Sequence, residues 1–412
     1  MKHRLSLFLL LLPAFLPAQT GVFWYDDTTS TLPNNRIIAI REASDGIYLL
    51  GKAADRAYGN VHPYWAVCEK NGKLRTQKTI ASENDVYELN NFVVCEENKI
   101  RIWGTETVNG RQTLLVNTID KAGNLPGSDA VLTNTNTLCG DVLQLDNENA
   151  VFAKTVQSSS TGKFHISLYK YNLQTDAQLW YKKLDAEENE EASKLFVMKD
   201  GSLVLLAKVY DDQLTTFHTV IYRLTADGER MWRRTVKAYE NFFSQGIAEG
   251  KNKSLLYTCS FNAEREMTGT TKLVTIDSSG EIVSTKEFTD IRANGILQLR
   301  NGNYLLYGSR YQQHGNYIIT KACYQLLDAK LTKIKSDELG MMDAPDANLP
   351  SLAMTAWPTA SDFLTAIQLS DGRIACAGRV YLPDEKNPDK ILRSERSNKA
   401  LLVLMKENGE FR

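Results

Sequence analysis

Three histidines, His62, His165 and His218, stand just ahead of short apolar runs at matching places in this 412-residue chain. Three imidazoles suffice for a zinc site. Each opens a run that recurs down the chain, however, so they are copies of one structural position and belong far apart in space. A packing role is expected, and no metal. Asp185, Glu187, Glu188, Glu190 and Glu191 crowd one short segment. Oxygen-rich loops hold calcium, but the Asp-x-Asp-x-Asp-Gly spacing is absent, and the segment reads as a solvated connection. Gly-x-Ser-x-Gly, His-Glu-x-x-His, P-loop and Cys-x-x-Cys motifs are missing. A carboxylate pair drawn from separate repeats would leave no linear signature.

The richest chemistry lies in two long stretches, 336–361 and 379–399. The first contains MMDAPDANLP and AMTAWP, and the second is RVYLPDEKNPDKILRSERSNK. Pro345, Pro350, Pro358, Pro383 and Pro388 make up half of the chain's 10 prolines, and proline lowers the entropy cost of ordering a loop. Trp357, Tyr381, Asp384, Arg393 and Arg396 supply aromatic platforms and charges, the makings of a partner-binding surface. A protein or glycan partner suits them, and nothing there asks for a cofactor. The competing reading is that the two stretches only plug a gap in the fold.

The elements that must carry these residues are written in a repeat. Asp45-Gly46, Glu97-Asn98, Asn147-Glu148, Asp200-Gly201, Lys251-Asn252, Asn301-Gly302 and Asp371-Gly372 are turn dipeptides between apolar runs. They follow at 50 to 53 residues, with one longer last step. A second turn comes about 25 residues after each, from Asn71-Gly72 to Asn408-Gly409. A period of this length with four short strands predicts an all-β fold, a seven-bladed β-propeller of four-stranded antiparallel blades. Residues 20–412 form one domain on this reading, with 336–361 and 379–399 as insertions on the face opposite the tight turns. Those turns leave little room, so function is expected among the longer loops.

Blade four is the clearest copy: Ser193–Met198, Ser202–Ala207, His218–Leu224 and Arg230–Val236. The second run (SLVLLA) is apolar throughout because neighbouring blades cover both its faces. Fourth runs such as WYKKL and WRRTV are basic, which keeps an exposed sheet edge from pairing with another molecule. The seventh copy lacks its fourth strand. Phe23, Trp24 and Tyr25, in VFWYD, match QLWYK and RMWRR, so the N-terminal strand is expected to close the ring. The 6 cysteines fall in apolar strand positions and read as buried thiols, with Cys68–Cys95 the pair to test for a disulfide.

The turn-strand-turn-Trp pattern resembles the secreted repeat propellers of Gram-negative bacteria, an assembly loosely similar to pyrroloquinoline-quinone-like repeats. That resemblance implies fold and export. Quinoprotein enzymes of the wider group carry a tryptophan in every blade and a calcium-and-quinone pocket. Here the fourth-strand tryptophan occurs only at Trp24, Trp180 and Trp232, and no matching pocket set is found. Residues 1–19, basic at Lys2-His3-Arg4 and apolar from Leu5 to Leu16, read as a signal peptide. An exported chain, periplasmic or extracellular and without membrane insertion, is expected. A net charge of −1 gives no footprint for nucleic acid, and a monomer is expected. The functional expectation is a non-catalytic binding or scaffold propeller; the alternative is a secreted enzyme of hydrolase, lyase or quinoprotein type, with its site at the channel mouth.

Overall fold

The computed structural model describes residues 21–25, 34–55, 61–80, 85–96, 99–109, 111–125, 137–158, 160–184, 188–211, 216–236, 244–262, 269–314, 317–339, 361–382 and 397–411. The proposed signal segment lies outside them. They form seven antiparallel sheets in sequence order, a seven-bladed β-propeller. Six sheets have four strands, and blade two shows three among the described residues. Among the described residues the only helix is one 3-10 turn, Lys251–Lys253. No helix among the described residues is long and apolar enough to cross a membrane.

Each blade is built from the same local logic. All nine residues of Gly46–Ala54, the second strand of blade one, are buried. That is what two covered sheet faces require of a central strand. Fourth strands face water, as in Ile282–Phe288, where six of seven residues are exposed. Seven apolar clusters fill the seven seams, one between each pair of blades. Tyr48, Trp65, Phe92 and Ile102, for example, join blades one and two. The six cysteines are buried and none forms a disulfide, Cys68 and Cys95 included.

Blade seven is completed by the N-terminal strand Gly21–Tyr25, antiparallel to Ser397–Met405, with Gly21 opposite Leu404 and Tyr25 opposite Ala400. At the outer rim, second-turn glycines sit under a side chain of the preceding blade. A methyl group added at Gly72 would lie 2.3 Å from Phe23 Cε2, and one at Gly280 would lie 2.9 Å from Trp232 Cδ2. Gly123, Gly228 and Gly409 meet Trp65, Trp180 and Tyr324 in the same way. The polar tip of the ring then often donates to the turn. Tyr25 Oη reaches Gly72 O at 2.6 Å, and Trp232 Nε1 reaches Ser278 O at 3.0 Å. The recurring fourth-strand tryptophans Trp180 and Trp232 thus pack blade against blade.

Two seams depart from this rule, and both lack the glycine. Asp176 holds the left-handed position in blade three (φ 55°) and is bound by buried Arg101 at 2.7 Å. Leu331 holds it in blade six (φ 64°), beside Lys286, which donates to Lys330 O at 3.0 Å.

Candidate functional site

First strands surround the channel, and in several blades a β-bulge turns one residue toward the neighbour. Asn90 of blade two, at such a bulge, donates to Gly140 O of blade three at 2.7 Å. Ser193 of blade four donates to Gln245 of blade five at 3.0 Å. Asn294 of blade six donates to Asp362 Oδ1 and Phe363 O of blade seven at 2.7 and 2.8 Å. Asp141 of blade three accepts from the Leu195 amide of blade four at 2.9 Å. Blades five and six use shape instead: a methyl at Gly246 would lie 2.7 Å from Gly295 Cα. The wall is therefore polar and mostly occupied by these links.

Two buried carboxyls stand out in it. Burial pushes Asp141 and Asp362 above the usual aspartate range, against the pull of Lys194 on the former and of Arg292 and Arg379 on the latter. Arg292 Nη2 stands 3.8 Å from Asp362 Oδ2. Asp362 is the second residue of its strand (Ser361–Gln368), directly after the 340–360 segment, and so stands at the loop-face end of the channel wall. Burial likewise draws Lys52, on the second strand of blade one, down to about 8.

A cavity of about 1080 Å³ opens on the other face, where the tight turns lie. Blades seven, one, two and three share it. Its lining includes Arg41, Glu42, Asp45, Lys121, Gln144 and Ser370. The expectation that tight turns leave little room is corrected here.

The histidines sit on third strands of blades one, three and four, at Val61–Cys68, Phe164–Asn172 and Phe217–Leu224. The acidic segment is an ion-pair knot. Glu190 accepts from Tyr222 Oη at 2.5 Å and from Arg233 at 2.9 Å, and Glu191 accepts from Lys208 and Tyr210. Asp185 and Glu187 lie outside the described residues. Among the described residues no three His, Cys, Asp or Glu side chains could hold a metal ion together. Trp357, Asp384, Arg393 and Arg396 lie outside the described residues. Tyr381 is described only as backbone, paired with Asn398. Sequence reasoning missed Asp362 and Arg41; each was visible only as a charge in a largely apolar first strand (SDFLTAIQ and NNRIIAIREA).

No protein-family model and no curated protein sequence matches the chain. Solved structures do. A protein of unknown function from Dyadobacter fermentans aligns at TM-score 0.47 and 11% identity, over 94% of this chain and 99% of that one. An α-L-arabinanase from Penicillium chrysogenum aligns at TM-score 0.46 and 10% identity, over 76% and 99%. An α-L-arabinofuranosidase from Fusarium graminearum aligns at TM-score 0.44 and 12% identity, over 70% and 92%. These are likenesses of fold.

Proposed function

We propose that this chain is an exported, glycan-directed propeller that takes its ligand on the loop face, at the edge of blade seven. The observation behind this reading is the register of three strand ends. Ser361 pairs with Val380, and Leu382 pairs with Ser397. Ser361, Leu382 and Ser397, which border the segments 340–360 and 383–396, therefore share one end of one blade with buried Asp362. In this reading Trp357 and Tyr381 stack on sugar rings, while Asp384, Arg393 and Arg396 bind hydroxyl or acidic groups.

A second reading, a glycoside hydrolase, is favoured by Asp362 itself. A carboxyl whose pKa burial raises is the kind of group a general acid needs. Its partner carboxylate would come from Asp343, Asp346, Asp384 or Asp389. The test replaces 340–360 and 383–396 by connections as short as those of blade four and follows the melting temperature with a glycan array, since a native-state ligand raises stability. The expected result is an intact fold that no longer responds to the glycan that stabilises the wild type. A folded variant that still responds overturns the reading, and a response to a protein alone moves it to a protein partner. In the intact chain, Asp362→Asn that binds but no longer cleaves would establish the hydrolase.

A further inference from the structure

The cavity on the tight-turn face has one cation, Arg41, with no ion-pair partner among the described residues. Glu42 accepts from Lys70 at 2.9 Å and from the Ser370 amide and hydroxyl at 2.5 and 2.6 Å. Asp45 accepts from Tyr48 Oη at 2.9 Å and from Lys121 at 3.2 Å. Asp146 is capped by the Glu148 and Asn149 amides, both at 2.7 Å. Arg41 differs. Its one hydrogen bond runs from Nε to Phe92 O at 2.7 Å, and the Phe92 ring lies 5.5 Å from its guanidinium carbon. Two sides of the guanidinium are thus fixed, and the Nη fork has no acceptor among the described residues. Burial draws Arg41 down to about 10, only partly offset by the Asp141 carboxylate. Arg41 is half-buried, and a guanidinium whose Nη atoms lack an acceptor among the described residues can donate two hydrogen bonds to an anionic ligand.

We propose that the tight-turn mouth of the channel is a second binding site, in which the Nη fork of Arg41 takes the carboxylate of a sugar acid. A planar carboxylate matches the fork with two parallel bonds. One negative charge is the fitting number, because Lys70 and Lys121 are taken up by Glu42 and Asp45 and leave the single charge of Arg41 to be matched. Gln144, Gln174 and Ser370 also line the cavity and suit hydroxyl groups. A volume of about 1080 Å³ gives room for more than one sugar ring. The lining residues named here lie at the turn ends of their strands, away from Ser361, Leu382 and Ser397 at the loop-face end of blade seven.

Calorimetric titration of the full-length mature chain with glucuronate, against glucose and inorganic phosphate, tests the site. Saturable glucuronate binding is expected, tighter than either control. Arg41→Gln should weaken it about 10- to 100-fold, the range for a charge-assisted bond lost. Arg41→Lys should restore only part of it, since an ammonium offers no fork. Glucuronate no tighter than glucose or phosphate on the wild type overturns the proposal, as does unchanged affinity in Arg41→Gln. Should Arg41→Gln not fold, the wild-type comparison and Arg41→Lys still decide. The loop-face variant described above should bind glucuronate normally, which separates this site from the other.

Discussion

The outer rim and the channel wall join the same seven blades by different means. At the rim five seams repeat one device, a side chain laid over a glycine of the next turn. At the wall the links vary from seam to seam: an arginine on a carbonyl, an asparagine on carbonyls (at Asn90 and again at Asn294), an aspartate on an amide, a serine on a glutamine. The rim device needs only that no side chain intervene, so it can be copied with the repeat. The wall links depend on which side chain each first strand offers its neighbour, at a bulge for Asn90 and Ser193, and that is decided blade by blade. Uniform closure and individual chemistry are thus kept at different radii.

Removing residues 20–28 should have the largest effect. It takes away the Gly21–Tyr25 ladder and the rim contact of Phe23 and Tyr25 with Gly72, but leaves the Ser370–Glu42 wall link at the same seam. A loss beyond about 4 kcal/mol is expected in guanidinium unfolding. Unfolding like that of the full-length chain would mean that wall links alone hold the ring shut.

Gly72→Ala against Gly302→Ala isolates the rim contact. Both glycines are left-handed, with φ of 91° and 85°, but only Gly72 lies under a ring; a methyl at Gly302 meets nothing within 4 Å. Gly302→Ala should cost about 1–2 kcal/mol for the backbone alone. Gly72→Ala should cost about 3 kcal/mol, because Phe23 must also move. Equal costs would show that the ring over the glycine adds no stability.

The smallest effect is electrostatic and sets wall against turn. Asp200, at the first turn of blade four, accepts from Ser202 Oγ at 2.5 Å and from Arg223 at 3.0 Å, and these bonds hold it at about 2. Its folded value is depressed, so its contribution is present above the unfolded value near 3.9 and lost as pH falls toward 2. Asp141 and Asp362 are raised, so their sign is opposite: ionising them above the unfolded value costs stability, and acid relieves that cost. Asp200→Asn should flatten the acid limb of the stability curve by about 1 kcal/mol, allowing for solvent screening. Asp362→Asn should steepen the decline toward low pH. An unchanged acid limb in Asp200→Asn would refute the assignment.

The parts of the fold legible in the sequence were those tied to a fixed offset. Asp200-Gly201, Asn301-Gly302 and Asp371-Gly372 marked real hairpins, and VFWYD announced the closing strand. Arg230–Val236 was placed with its observed bounds, whereas Ser193–Met198 proved to be Asn189–Val197, since strands run on past the apolar core. Glu97-Asn98 lies outside the described residues. The candidate sites were less legible. Arg41 is one charge among many until Phe92, about fifty residues on, fixes its Nε, and Asp362 gains meaning only beside Asn294 and Arg292. Such meetings depend on the angle between blades, which no spacing along the chain records.

One consequence of the closing strand concerns timing. Gly21 is among the earliest residues of the described fold to be made, and its partner Leu404 is among the last. Blade seven stays unfinished until almost the whole chain has left the ribosome, and every shortened product presents an open sheet edge. The pairing thereby works as a completeness check. Contacts so distant in sequence form slowly, which leaves the chain unclosed for longest while it is being made.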